Sequence, residues 1–141
     1  MGIKINFTLL FGKCNGYMSA KIYTNKDLLL KLDNFVDPVQ KISLDINFPS
    51  VLIFDITGKN MLSDTKLDDN NNIVEDKFIK IKELTVGYLP VNDNFLPKIC
   101  KFTTKFGEVT TSDFWHTNGR VLIEFDEPDF IKWHLKLRKN N

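Results

Sequence analysis

Cysteine is scarce in this chain of 141 residues: only Cys14 and Cys100 occur. They form no C-x-x-C pair and share no metal spacing with histidine. This excludes a disulfide framework and a zinc-knuckle type of site. One bridge between the two stays open at this point, although Cys100 in "PKICKF" reads as a small core hydrophobe and Cys14 in "GKCNG" as a turn residue. Charge of one sign is also missing. Nineteen Lys and Arg face 18 Asp and Glu, for a net charge of +1. A nucleic-acid binder driven by phosphate neutralisation normally carries a basic surplus, so no nucleic acid is expected as a partner. No apolar run approaches the length of a membrane span. The opening "MGIKINFTLLFGK" is too short and too alternating for a signal peptide, and Asn6 stands where a myristoylation motif has Ser or Thr. The expectation is a chain without membrane insertion.

Catalytic motifs are absent as well. There is no G-x-S-x-G, no phosphate-cradling glycine loop and no H-E-x-x-H. The two histidines are His116, in a loop, and His134, on the polar side of an alternating segment. No nucleophile–base set emerges around either, both read as surface residues, and no catalytic residue is expected.

What is present is alternation. Ile3, Ile5, Phe7, Leu9 and Phe11 share one phase; Ile42, Leu44, Ile46 and Phe48 share another. Val121, Ile123 and Phe125 form a third set, and Ile131, Trp133, Leu135 and Leu137 a fourth. Period-two patterning reads as half-buried strands. "KCNGY", "TNKD", "NFPS", "TGKN" and "EPD" supply the turns between them. The reading is an all-β, antiparallel sandwich or jelly roll of about nine to ten short strands, as one domain over residues 1–141. "DNFVDPVQ" is expected to hold a single helical turn. The alternation slips between Ile81 and Leu84, which either a β-bulge near Lys82–Glu83 or a strand crossing from one sheet to the other would produce. Leu10, Leu29, Leu52, Phe54, Ile56 and Leu122 break the polar phase of their strands, so they mark either an outer apolar face or a second buried one.

Two segments could carry chemistry. "DTKLDDNNNIVED" gathers Asp64, Asp68, Asp69, Glu75 and Asp76. Calcium takes six to eight oxygens from carboxylates, amide carbonyls, backbone and water, and such a loop is dense in them. The spacing is not that of an EF-hand, because Ile73 and Ile79 fall where the turn glycine and the bidentate glutamate belong. The competing reading is a solvated hairpin tip, where Asp and Asn are favoured for their local backbone bonding. "SDFWHTNG" sets Trp115 beside His116 and Asn118. An aromatic face next to polar side chains suits a sugar, and a large aromatic at a strand end suits the core equally well.

Together the run "TGKNMLSDTKLDDNNNIVEDKFIKIKEL" and the later "FWHTNGRVLIEF" resemble small marine-phage proteins with a "GK…DT…D…G.I.ED.Y" block and a "Y-[WI]-G-F-N-G" block. Those in turn look like the calcium-dependent, xylan-binding type of carbohydrate-binding module. The matching residues are Gly58, Lys59, Asp64, Thr65, Asp68, Ile73, Glu75, Asp76, Trp115, Asn118 and Gly119. Asn72 replaces the expected turn glycine, and His116–Thr117 replaces a Gly-Phe pair. The resemblance implies a non-catalytic β-sandwich that binds a glycan with Ca2+. Asp64, Asp68 and Asp76 would be the ligands, with Asp69 or Glu75 contributing; Trp115, His116 and Asn118 would hold the sugar. It further implies an accessory structural protein of a phage virion, on capsid or tail, touching other virion proteins or host-surface glycans. The alternatives are a virion protein that makes only protein contacts, and a small phage inhibitor of a host protein in the infected-cell cytoplasm.

Overall fold

The computed structural model describes residues 2–25 and 27–139. Among them are thirteen strands and two helices. The first sheet has the order β12 (Phe114–Trp115), β8 (Phe78–Val86), β1 (Ile3–Gly12), β4 (Val39–Ile46), with β9 (Leu89–Pro90) also on β8. The second has the order β11 (Val109–Thr111), β10 (Lys101–Thr104), β13 (Gly119–Phe125), β5 (Ser50–Thr57), β2 (Ser19–Thr24), β3 (Asp27–Leu32). Every pairing is antiparallel. A separate hairpin joins β6 (Thr65–Leu67) to β7 (Ile73–Asp76).

The sheets face each other through the predicted phases. Ile5, Phe7, Leu9 and Phe11 of β1 meet Ile22 of β2, Leu52, Phe54 and Ile56 of β5, and Val121, Ile123 and Phe125 of β13 in one buried cluster. Phe7 and Phe54 cross edge to face at 5.6 Å, a favoured aromatic geometry. Each such side chain contributes about 1.5–3 kcal/mol on burial, so this layer dominates stability. Leu52, Phe54 and Ile56 thus belong to the core. The slip is a bulge: Asn6 pairs with Thr85 and Thr8 with Lys82, so Glu83 and Leu84 together oppose Phe7. Glu83 adopts φ 58°, and its carboxylate accepts from the Thr8 hydroxyl.

Three expectations need correction. The last alternating segment is a helix, α2 (Phe130–Lys139). Its inward residues are Phe130, Trp133, His134 and Leu137, at i, i+3, i+4 and i+7, whereas Ile131 and Leu135 are about half exposed. The Asp129 side chain accepts from the Lys132 amide and caps the first turn, and Lys136, Arg138 and Lys139 sit at the favourable C-terminal end. His134 is therefore buried, hydrogen-bonded to the Val86 carbonyl, rather than on a polar strand face. "DNFVDPVQ" forms no helical turn; a short helix, α1, spans Leu96–Ile99 instead. Cys14 and Cys100 are both free and buried, and burial pushes the Cys100 thiol up.

Candidate functional site

Two polar regions adjoin each other at one end of the second sheet. The first is the acidic block. The β6–β7 hairpin folds because Asp68 accepts from the Asn70 and Asn72 amides, while Asn71 takes the left-handed backbone at φ 63°. Those amide bonds hold the Asp68 carboxyl below the usual carboxylate range. Asp69 is exposed at the tip, and Glu75 points outward to Lys66 at 3.0 Å. Asp64 and Asp76 turn inward. Asp64 accepts from the Asn60 amide at 2.7 Å, from the Asn15 side chain at 3.2 Å and from Lys77 Nζ at 3.1 Å. The Asn60 amide is the largest influence on its carboxyl, which is lowered to about 2 against the penalty of burial. Lys77 Nζ also donates to the Gly58 carbonyl at 2.8 Å. Asp76 accepts from Lys59 Nζ and from the Thr65 hydroxyl, both at 2.7 Å. Burial raises the Asp76 carboxyl, and Lys59 and Thr65 overcome it, holding it below the ordinary value.

The five acids therefore do not converge. Among the described residues no three His, Cys, Asp or Glu side chains come together in a way that could hold a metal ion. The two inward carboxylates instead carry ammonium partners whose side chains are 3 % and 8 % exposed. A buried carboxylate needs a countercharge, and here the chain itself provides one. The donor set does not fit calcium: both Asp64 oxygens and Asp76 Oδ1 already accept from nitrogen or hydroxyl, and each of the two carboxylates has an ammonium against it. The flanking lysines of "GKN" and "EDKF" were the legible signal for this arrangement.

The "FWHTNG" residues separate in the fold. Trp115 is fully buried on Phe54, and its indole N–H donates to the Ser112 carbonyl at 2.7 Å, so its faces are closed to a ligand. His116 is exposed and tilted against Phe114. Asn118 stitches β13 to the acidic block: it accepts from the Lys59 amide and donates to the Lys59 carbonyl, both at 2.9 Å. Gly119 follows because nothing larger fits; a Cβ there would lie 2.4 Å from the Thr103 carbonyl and 2.6 Å from the Phe102 ring.

The second region begins at this junction and spreads over the outer face of the second sheet. Register aligns Thr103 with Arg120, Arg120 with Asp55, and Asp55 with Lys21. The neighbouring inward row is Phe102, Val121, Phe54 and Ile22. Alternation therefore turns the polar row to solvent. Tyr23 stands two residues along from Lys21, on the same face. These side chains, with Lys105 and Asn118, line an open groove of about 620 Å³. Its centre is a bidentate pair: Arg120 Nε and Nη2 donate to Asp55 at 2.7 and 3.3 Å. The ring of Tyr23 is half-buried at the groove wall. A second groove, about 690 Å³, lies against α2, but there the Asp126 carboxylate is paired with Lys136 and the Trp133 ring is sealed in the core. Only Asn118 of the groove was among the expected ligand residues. Tyr23, Asp55 and Arg120 sit on three strands that only register brings together.

No family model and no curated protein sequence matches this chain. Its fold is similar to solved structures of the carbohydrate-binding module vCBM60. The complex with galactobiose superposes with a TM-score of 0.54 and 9 % identity, covering 86 % of this chain and 97 % of the other. The selenomethionine form gives 0.56 at 9 % identity, covering 86 % and 90 %. It is described within two families of calcium-dependent carbohydrate-binding modules linked by circular permutation. The likeness is one of fold: two antiparallel sheets packed as a sandwich.

Proposed function

We propose that this chain is a non-catalytic carbohydrate-binding module that recognises a glycan in the groove on its second sheet. The observation that carries the proposal is the groove itself, with one accessible aromatic wall, a fixed Arg120–Asp55 fork and threonine and amide groups around it. Glycan sites of this kind combine an apolar platform with a few oriented hydrogen-bonding groups. Asp55 and Arg120 present remaining lone pairs and N–H groups to hydroxyls, and their mutual bonds fix their rotamers in advance. The module fold of its structural neighbours agrees with this reading. Calcium is not part of it, because the carboxylates that would have ligated the ion are engaged with Lys59 and Lys77. His116 is a peripheral contact at most, being anchored to Phe114 outside the groove lining. A glycan array run with and without chelator tests the proposal: binding that survives chelator and weakens in Tyr23→Ala supports it, and an array with no hits removes it. The biological setting we propose, the surface of a phage particle, rests on the sequence resemblance, and mass spectrometry of purified particles decides it.

A second reading has its own observation. Met61, Leu62, Leu67, Ile73 and Val74, around the acidic hairpin, are all at least half exposed, and Leu62 is 96 % exposed. A protruding apolar knob of this kind suits protein contact. It fits a virion protein that docks through the hairpin, and it is compatible with a glycan groove next to it.

A further inference from the structure

The charges lining the groove specify its ligand further, given the glycan reading above. The whole chain has a net charge of +1, yet the groove carries Lys21, Lys105 and Arg120 against Asp55 alone. Asp55 is taken by Arg120. Lys21 and Lys105 stand in none of the ion pairs found among the described residues. Both are exposed. They also lie on opposite sides of the groove. Lys21 is on β2, and Lys105 follows β10 in the turn to β11, where its amide donates to the Asn118 carbonyl. Three strand-to-strand steps separate β2 from β10, a span of about 14 Å at the usual spacing. The Arg120–Asp55 fork lies between them, and Tyr23 stands beside Lys21 on β2.

From this arrangement the geometry points to an anionic oligosaccharide as the ligand, lying across the strands with its sugar faces near Tyr23 and its acidic groups reached by Lys21 and Lys105. A neutral glycan offers these ammonium groups only hydroxyl acceptors, whereas a carboxylate- or sulfate-bearing one gives each an anionic acceptor and so a stronger, charge-assisted hydrogen bond. A nucleic acid is disfavoured because two ammonium groups and one neutralised arginine are few for a phosphate backbone.

The test is calorimetry in chelator, at low and high salt, with four probes: an oligogalacturonate, its methyl ester, a sulfated galacto-oligosaccharide, and a single-stranded oligonucleotide of equal charge. The expected result is at least tenfold tighter binding of the oligogalacturonate, the sulfated probe or both than of the methyl ester, about two tightened contacts' worth. That preference should shrink at high salt. In Lys21→Met/Lys105→Met the preference for the charged probe over the methyl ester should disappear. Equal affinity for charged and neutral sugars overturns the charge preference and leaves the glycan reading intact. Binding of no sugar at all overturns both. Oligonucleotide binding as tight as that of the sugars overturns the inference by showing that charge alone is read. An unchanged melting temperature in the double variant confirms that any lost affinity is local.

Discussion

The acidic block and the sheet groove use the same chemistry to opposite ends. Both pair lysine or arginine with aspartate. In the block, Lys59 and Lys77 are buried with Asp76 and Asp64, and Asn60, Thr65 and Gly58 add further hydrogen bonds to these pairs. In the groove, Arg120 and Asp55 are held in the open, and two lysines near them stay unpaired. The difference is burial. A buried ion pair is fully engaged with its partner and maintains structure, whereas an exposed one fixes geometry and still has hydrogen-bonding capacity for a ligand. An abundance of carboxylates is thus a poor guide to a metal site until their countercharges are located.

The largest effect should come from separating a buried pair. Lys77→Met leaves Asp64 charged and enclosed, and is expected to destabilise the fold by about 3–5 kcal/mol in urea denaturation. The double variant Lys77→Met/Asp64→Asn should recover much of that loss. If the single variant is as stable as the parent, the block is not a structural unit. Next comes Gly119→Ala at the junction of the two regions. The added methyl meets backbone and ring atoms, so a cost of about 1–3 kcal/mol is expected, together with weakened glycan binding because β13 and β10 must part.

Acid sharpens the same contrast. Burial, its largest influence, lowers the pKa of His134, so the fold favours the neutral ring. A group with a depressed folded pKa stabilises the native state above its unfolded value, so stability should begin to fall as pH drops through about 6.5. Asp64, lowered to about 2, contributes above pH 4 and loses its contribution between about pH 4 and 2. Denaturation midpoints measured from pH 8 to 3 should therefore decline in two steps. A flat profile from pH 8 to 5 would contradict the buried His134.

The smallest stability effects belong to the groove. Tyr23→Ala should reduce glycan affinity about tenfold while changing stability by under about 1 kcal/mol. A loss of stability as large as that in the block would mean that Tyr23 is core and not platform.

The sandwich was readable in the sequence because its signal is local. Phases such as Ile5–Phe7–Leu9 and Val121–Ile123–Phe125 state which side of a strand faces in, and the slip at Glu83 marks where the bulge falls. The helix α2 was misread because Ile131, Trp133, Leu135 and Leu137 mimic a strand; the helical face Phe130–Trp133–His134–Leu137 and the Asp129 cap were in the same ten residues. The site was less legible. Asp64 and Asp76 were visible as acids, but their lysines announce themselves only by flanking the run. Tyr23, Asp55 and Arg120 lie far apart in sequence, and strand order alone makes them neighbours.

The central claim is that ligand recognition belongs to the open charges of the sheet and not to the enclosed charges of the hairpin. A glycan titration of the 15N-labelled chain in chelator, followed by amide chemical shifts, tests it most directly. The account predicts shifts concentrated at Lys21, Tyr23, Thr103, Lys105 and Gly119–Arg120, with Asp64–Asp76 unmoved. Shifts centred on Asp64–Asp76, or binding that appears only when calcium is restored, would contradict it.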